Sequence, residues 1–453
     1  MNKKIQYLLG AILIALLPMI LEAQNPPAYA VDNVSIHLAN GSEIESGIIV
    51  WRNGIIEAIG RNITIPYDAY TIDGGDSLHV YPGFIDGLGT WGAPDLPKEF
   101  EDVDDPGNPG YERAGIQPQR EINEYLDSSK DNITDAMKLG FTTASLGLKG
   151  FMFPGTAGIY FLNGNETKDH LFREFAGLQF AFEGAPGGWG SRAYPSTTMG
   201  VMARFRQLLY DAQALKDHIQ YYASADGNMV APKRDAVLES LFPFLNNEIT
   251  LFATADTPED LDRLLILKEE FEFDIVLISG KHAALSSEKL LDHNIPVLAS
   301  VELPEKPDWI KERDKEADED EEKGESKETA ETEEPLSEEE KRYRERQEKA
   351  YNDAARNIKS LMEAGITVGF SSAGLEADEF KEQLLNLKKY GNLTEQEILQ
   401  LMTVNTAEIL NISSKMGEIE SGNLATFSIF TSPYFDKESD IVKVISNGVI
   451  HEF

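Results

Sequence analysis

The sequence predicts an α/β fold, in which a TIM-type (β/α)8 barrel is joined to a small composite β-sandwich formed by both chain ends. Between residues 141 and 370, short apolar strands alternate with helical segments, which is typical of a parallel sheet covered on both faces. The two chain ends instead carry short strands with alternating apolar residues. With 453 residues, of which 42% are hydrophobic, the chain can bury a large core.

Residues 1–23 have the pattern of a secretory signal peptide. Lys3 and Lys4 precede an apolar run that ends at Leu21, and Ala23 offers a cleavage point. The run is short for a membrane span, and no later segment is apolar enough to be one. We therefore expect export to a bacterial periplasm and no membrane span in the mature chain, with a retained anchor as the alternative.

Composition excludes several function classes. The chain contains no Cys, which rules out disulfides, thiolate metal sites and a cysteine nucleophile. Its net charge of -36 argues against nucleic acid and anionic membrane surfaces as partners.

Residues 24–80 are predicted to form the first part of the β-sandwich. Val34, Ile36 and Leu38 alternate with polar residues, and Asn53-Gly54 is a strong two-residue hairpin signal. Taken alone, this pattern is a meander of short strands.

Residues 81–410 are predicted to form the barrel. Its eight apolar strands are expected at residues 80–85, 141–146, 158–162, 177–182, 249–253, 274–278, 295–300 and 366–370. Helices are expected at 122–139, at 198–222 and at 286–292. A further helix is expected to begin at Pro258, because Pro is favoured in the first helical turn. A barrel of this type places its functional residues on the loops after the strands.

An acidic insertion, residues 304–345, interrupts the barrel between strands seven and eight. Residues 311–349 hold 18 acidic and 10 basic residues, so the first two-thirds of this stretch is expected to be disordered. Ser337 and Glu340 have capping-box spacing, which predicts a helix from there to Leu361. The insertion is interpreted as a solvated segment, or alternatively as a docking tail or lid.

The stretch after the first sandwich strands resembles a known family. Residues 81–86 read Tyr-Pro-Gly-Phe-Ile-Asp, which is similar to the strand-one motif Pro-Gly-(apolar)-Ile-Asp-x-His-x-His of the amidohydrolase superfamily. Residues 417–427 and 444–448 resemble that family's return to the sandwich and its final hairpin. The resemblance therefore implies that residues 411–453 join residues 24–80 in one composite sandwich. The resemblance is strongest to imidazolonepropionase-like and prolidase-like amidohydrolases, and it covers nearly all of residues 30–453.

The resemblance implies hydrolysis of C–N bonds by one or two divalent metals that convert water to hydroxide. The expected ligands lie at the ends of strands one, four, five, six and eight. This chain has other residues at most of those positions, and Leu and Thr are poor metal ligands. The positions that lack their usual ligand are Leu88, Thr90, Thr254, Ser279 and Ala373.

The remaining candidates for chemistry are Glu183, at or next to the strand-four ligand position, Asp256 and His282. Two of them, Glu183 and Asp256, could share acid and base roles if their pKa values are driven apart, but two solvated loop acids are the alternative. Residues expected to line a pocket are Asp86, Trp91, Trp189 and Tyr194. The histidines of the sandwich, His37, His79 and His451, are interpreted as structural.

These residues predict a catalytically degenerate amidohydrolase that binds no metal at the usual site. Its expected role is that of a non-catalytic partner of an active homologous subunit, or a homo-oligomer. The alternatives are a hydrolase with an altered site, which would require zinc or another divalent metal, and a protein that binds a small solute.

Overall fold

A computed structural model describes residues 26–75, 77–187, 193–224, 229–323, 336–372, 375 and 377–453 of the chain. The predicted signal peptide, residues 1–23, lies outside the described residues. Within the described part, no helix has the length and apolar composition that a membrane crossing requires.

The amino-terminal strands form one half of a terminal sheet. Their bounds are β1 Tyr29–His37, β2 Glu43–Arg52, β3 Ile55–Gly60, β4 Tyr70–Asp73 and β5 His79–Pro82. β4 pairs with the first part of β1, and β5 pairs with its last part. Asn33 lies between these two parts with a φ of 61°, a conformation that Asn tolerates better than most residues.

The barrel sheet follows, with its strands hydrogen-bonded in chain order among the described residues. Its strands are β6 Phe84–Gly89, β7 Phe141–Leu146, β8 Thr156–Phe161, β9 Leu171–Ala181, β10 Leu251–Thr254, β11 Ile275–Ser279, β12 Val297–Ser300 and β13 Val368–Ser371. The predicted barrel is therefore confirmed.

One expectation about the barrel is wrong. β8 runs antiparallel to both β7 and β9, whereas the sequence predicted parallel strands throughout. The segment between β7 and β8, residues 147–155, contains Gly147, Gly150 and Gly155. It is too short for the crossover that two parallel strands need, so it returns the chain as a hairpin.

Helices cover the outside of the barrel. Their bounds are α1 Ile122–Tyr125, α2 Asp131–Lys138, α3 Thr198–Ser224, α4 Ala236–Ser240, α5 Phe242–Leu245, α6 Pro258–Phe271, α7 Ser287–Asp292, α8 Asp308–Lys323, α9 Glu338–Ala355, α10 Asn357–Glu363, α11 Ala377–Gly391, α12 Glu395–Gln400 and α13 Thr406–Ile409. The single helix expected at 122–139 is divided into α1 and α2. α6 begins as predicted, because Thr257 Oγ1 accepts a hydrogen bond from the Asp260 amide at 3.2 Å.

The last strands complete the terminal sheet. β14 Phe427–Phe430, β15 Ile441–Ser446 and β16 Val449–Glu452 join it through β14, which pairs antiparallel with β5. Trp51 of β2 and Phe427 of β14 are both fully buried, and their rings pack edge to face with centroids 5.3 Å apart. Both ends of the chain thus form one unit, as predicted, and its described strands are connected as one sheet.

The disorder expected for the first two-thirds of residues 311–349 is wrong where the structure describes that part, at residues 311–323. The first part of the acidic insertion is the helix α8, and its last part is the start of α9, while residues 324–335 lie outside the described residues. The predicted start of α9 is confirmed, because Ser337 and Glu340 form a complete capping box. The helix ends at Ala355 rather than at Leu361, and α10 follows.

Tertiary contacts explain why so charged a segment is ordered. The Trp309 ring is flanked by the guanidinium groups of Arg313 and Arg344, at 5.3 Å and 5.5 Å from its centroid. Its indole N–H donates to Gln347 Oε1 at 3.1 Å. Trp309 therefore joins α8 to α9.

Asp314 attaches the same helix pair to the barrel. Its carboxylate accepts hydrogen bonds from Lys306 Nζ at 3.0 Å, Lys389 Nζ at 2.8 Å and Tyr390 Oη at 2.6 Å. Burial alone would raise the pKa of Asp314, but the bonds from Lys389, Tyr390 and Lys306 outweigh it and lower the pKa to about 2.

We predict that Asp314→Asn lowers the free energy of unfolding at pH 7 by about 1–3 kcal/mol, because charge-assisted hydrogen bonds to α11 are weakened. The folded pKa of Asp314, about 2, lies below its unfolded value of about 3.9. Its stabilisation is therefore present above pH ~4 and is lost as the pH falls toward 2. Urea unfolding at pH 7 measures the change, and Glu312→Gln, at an exposed position of the same helix, is the control. Equal stability of the two variants would contradict this account.

Candidate active-site face of the barrel

The end of β6 contributes an apolar side chain to the barrel interior. Leu88 is only 6% exposed and belongs to the interior apolar cluster together with Ile85, Ile278 and Leu298. A Cβ at Gly87 would lie 2.4 Å from Leu298 Cδ2 and 2.6 Å from the Phe370 carbonyl oxygen. Only glycine permits this close approach of β6 to its neighbours, so the strand end is packed as core.

Thr90 stands just beyond β6, where the strand turns away. It is half-buried, and its carbonyl oxygen accepts a hydrogen bond from the Ala93 amide at 3.0 Å. Neither a leucine side chain in an apolar cluster nor a neutral hydroxyl suits a catalytic divalent metal. The strand-one residues therefore do not fit the metal that the resemblance implies.

Two other expected ligand positions, Thr254 and Ser279, are the last residues of their strands. Thr254 ends β10 and is half-buried. Ser279 ends β11, is 4% exposed and has a φ of 70°. It is followed by Gly280, whose carbonyl oxygen accepts a hydrogen bond from Asn357 Nδ2 at 2.8 Å. Ala373 lies outside the described residues.

Asp86 connects the first and last strands of the barrel. It is fully buried, and its Oδ1 accepts hydrogen bonds from the amides of Leu88, at 3.1 Å, and Ser372, at 2.9 Å. Its Oδ2 accepts another from the Ser372 hydroxyl. Ser371, at the end of β13, donates from its hydroxyl to the Leu88 carbonyl oxygen at 2.7 Å. Side chains thus close the barrel between β6 and β13.

Burial raises the pKa of Asp86 to about 7, although the hydrogen bonds from Ser372 and from the Leu88 amide act in the opposite direction. A carboxyl with this pKa changes its charge near neutral pH. Because Asp86 has no solvent exposure, we assign its titration to stability and not to contact with a substrate.

The three candidate catalytic residues do not converge. Asp256 and His282 lie on neighbouring strand ends, where Asp256 Oδ1 accepts a hydrogen bond from the Lys281 amide at 3.3 Å. His282 and Glu183 are exposed. Desolvation by nearby protein atoms raises the pKa of Glu183, but no hydrogen bond between described residues joins it to the other two. Nor do the three form a group with donor atoms within 4.8 Å of one another.

The residues expected to line a pocket are mostly packed instead. Trp91 is 8% exposed and contacts Phe141 on the outer side of the barrel, with ring centroids 5.2 Å apart. Tyr194 donates from its hydroxyl to the Gly200 carbonyl oxygen at 3.1 Å. Asp86 is enclosed, and Trp189 lies outside the described residues. The sequence pattern alone does not distinguish an aromatic residue that lines a pocket from one that is packed against other loops, because aromatic side chains are common in both places.

A cavity of about 260 Å³ opens beside His282, at the carboxyl ends of β11 and β12. Lys281 and Glu302 form an ion pair in its wall with Nζ and Oε2 2.6 Å apart, and Asn357 also lines it. Sequence reasoning missed Glu302, although its place two residues after β12 is the same signal that drew attention to Asp256. A cavity of about 450 Å³ lies at the opposite, amino end of the strands, where this fold has no catalytic loops.

Comparison with known proteins agrees with this architecture. Residues 320–451 match the model of the amidohydrolase family, and a search of curated proteins found no match. A solved amidohydrolase from Thermotoga maritima is 19% identical, with 94% of this chain and 100% of that chain covered and a TM-score of 0.72.

Two peptidase structures are also similar. A prolidase complexed with N-methylphosphonate-L-proline is 14% identical, covering 94% of this chain and 99% of that chain, with a TM-score of 0.51. A Xaa-Pro dipeptidase with bound methionine in its active site is 15% identical, with 94% of this chain and 100% of that chain covered and a TM-score of 0.50.

The fold defines an eight-stranded barrel protein with a composite terminal sheet. Residues 320–451 match the amidohydrolase family model, and the fold is shared with a solved amidohydrolase, in agreement with the resemblance of the strand-one motif. The resemblance to this family implies hydrolysis by a divalent metal. The described strand ends of this chain differ from that chemistry in the side chains they carry.

We predict that Asp86→Asn keeps the barrel closed and removes a pH dependence of stability. The folded pKa of Asp86, about 7, lies above its unfolded value of about 3.9, so the folded state holds the proton more tightly. The parent should therefore lose stability, on the order of a few kcal/mol, as the pH rises from ~4 to ~7. Asn carries no charge, so the variant should lack this loss.

Urea unfolding of parent and variant at pH 4.5 and pH 7.5 measures the difference. Asp169→Asn, at an exposed position, is the control and should follow the parent. If Asp86→Asn also followed the parent at both pH values, the assignment of this titration to Asp86 would be wrong.

Proposed function

We propose that this chain is an exported amidohydrolase-fold protein that has lost hydrolysis and acts as the non-catalytic subunit beside an active homologue. The single observation that supports it best is Leu88. At the strand-one position where the resemblance expects a metal-binding histidine, a leucine lies within the apolar barrel interior and is 6% exposed.

Metal-dependent hydrolysis needs a group of ligands that holds the ion and lowers the pKa of its bound water. At the described strand ends, the ligand positions are occupied by Leu88, Thr90, Thr254 and Ser279, and a tetrahedral catalytic site requires three protein ligands of the His, Cys or carboxylate type. Glu183, Asp256 and His282 do not compensate, because they do not gather around one point. Loss of catalysis leaves the fold intact, since Asp86 closes the barrel without any metal.

A surface suited to pairing lies at the end of α3. Tyr221 is 64% exposed and Val230 83% exposed, and His218 Nε2 lies 2.9 Å from the Val230 carbonyl oxygen, which fixes this segment against the helix. Tyr222 and Met229 add to the exposed apolar area, which is a feature of interaction sites. We assign it to an amidohydrolase subunit that retains the His-x-His motif and the strand-eight Asp.

The peptidase neighbours suggest the substrate class of such an active partner. Prolidases and Xaa-Pro dipeptidases, as those proteins are named, cleave dipeptides that end in proline. The proposal also includes export, which is supported by the signal-like composition of residues 1–23.

We predict that the purified chain does not hydrolyse Xaa-Pro dipeptides or cyclic amides when Zn²⁺ or Mn²⁺ is added. Product formation measured by chromatography should equal that of the triple variant Glu183→Ala/Asp256→Ala/His282→Ala. Turnover by the parent that the triple variant lacks would reject the proposal in favour of a hydrolase with an altered site.

We predict that the tagged chain, expressed in its own host, co-purifies with an amidohydrolase that carries the intact ligand motifs. Val230→Glu should abolish the complex, because it places a charge in the apolar surface. Ile266→Glu, on α6 at a side chain that is 50% exposed, is the control and should leave the complex unchanged. A chain that remains alone, or pairs only with itself, would exclude the mixed complex.

The cavity beside His282 favours a second candidate, the binding of a small solute without chemistry. Its volume of about 260 Å³ and its polar residues Lys281 and Glu302 suit a small zwitterion. A rise in the melting temperature on addition of a dipeptide, absent in Glu302→Ala, would support this function.

A further inference from the structure

We propose that His37, His79 and Glu43 form a binding site for a divalent transition metal of the zinc class in the terminal sheet, away from the barrel mouth. Among the described residues, these three are the one group of histidine and carboxylate side chains whose donor atoms all lie within 4.8 Å of one another. The sequence interpretation had assigned the two histidines a structural role.

The sheet register places all three side chains on one face. His37 ends β1 and is directly opposite Glu43, the first residue of β2. On the other edge of β1, His79 is opposite Ser35, two residues before His37. Because side chains alternate between faces with a period of two, the face of Ser35 is also the face of His37. Three adjacent strands therefore each contribute one ligand.

The distances suit a shared ion. His37 Nε2 lies 2.9 Å from His79 Nδ1 and 4.0 Å from Glu43 Oε1. Ligands bonded at 2.0–2.1 Å in a tetrahedron are roughly 3.3 Å apart, which lies between these two values. Glu43 has 44% of its side chain exposed, so it is free to move the short distance required. Its exposure also gives an ion access from solvent.

Aromatic stacking fixes the orientation of the imidazoles. The Tyr81 ring lies 4.3 Å from the His37 ring at an interplanar angle of 8°, and the two imidazoles lie 5.2 Å apart at 20°. The Tyr81 hydroxyl oxygen in turn accepts a hydrogen bond from the Tyr434 amide at 3.2 Å. A ligand held in place before the metal arrives loses little conformational entropy on binding.

The chemical types of the three side chains suit a cation of the zinc class. Burial lowers the pKa of His37, and the nearby His79 lowers it further, while Glu43 and Glu395 act in the opposite direction. Two imidazoles with one carboxylate are a ligand set found for Zn²⁺ in proteins. The Glu43 carboxylate supplies the negative charge that attracts the cation.

The site would also have a mechanical consequence. Residues 38–42 connect His37 to Glu43, and a Cβ at Gly41 would lie 2.7 Å from the Gln396 side chain of α12. A bound metal would hold the β1–β2 connection where it meets the barrel. Metal binding is thus expected to raise the melting temperature of the whole protein.

The test uses the full mature chain, freed of metal with EDTA, incubated with Zn²⁺ alone and desalted. We expect about one equivalent of zinc by elemental analysis, and a tetrahedral absorption spectrum when Co²⁺ replaces Zn²⁺. His37→Ala and His79→Ala should each abolish retention. Glu43→Gln, at an exposed position, should raise the dissociation constant at least about tenfold without harming the fold.

Matched controls separate this site from others. Glu45→Gln lies on the same strand with its side chain 76% exposed and should bind zinc like the parent. His451→Ala, in the same sheet with its Nε2 bonded to Asn163, should do so as well. Failure to retain zinc, or retention that survives both His37→Ala and His79→Ala but is lost in His282→Ala, would overturn the proposal. The result is independent of whether the barrel is catalytic.

Discussion

The buried carboxylate of Asp86 is the interaction on which the barrel depends. It collects hydrogen bonds from the Leu88 amide and from the amide and hydroxyl of Ser372, and so connects the first strand to the last. Leaving such a group without partners in the interior would cost several kcal/mol. Each of its partners is therefore required by burial, and the strand ends that define the barrel mouth are held in place by a purely structural contact.

The same strand end determines what the mouth can do. Asp86 matches the aspartate of the strand-one motif that this stretch resembles, and its contacts here are structural. Leu88, two residues further on, extends the apolar interior to the level where the resemblance expects a metal. The aspartate that matches the motif and the leucine that departs from it thus lie two residues apart on one strand. Neither the outer surface of the barrel nor the cavity beside His282 requires a metal in the barrel centre.

Charged groups stabilise the periphery where apolar burial is scarce. Asp314 gathers Lys306, Lys389 and Tyr390, and Trp309 lies between two arginines, so the acidic insertion has ordered helices at both described ends. In the terminal sheet, the stacked rings of Tyr81, His37 and His79 also connect neighbouring strands, through ring contacts in place of ion pairs. Local composition underestimates this kind of order, because the stabilising partners are far away in the chain.

The sequence by itself predicted the barrel, the composite terminal sheet and the resemblance to amidohydrolases. Strand periodicity and the residues around Asp86 are local signals. The lack of a metal-binding atom at Leu88 follows directly from its residue type. Only the tertiary structure decided the direction of β8, the helix at Asp308–Lys323 and the approach of His37 to His79. Each of these depends on which distant segments pack together, and a pattern along the chain carries no distance between residues 42 positions apart.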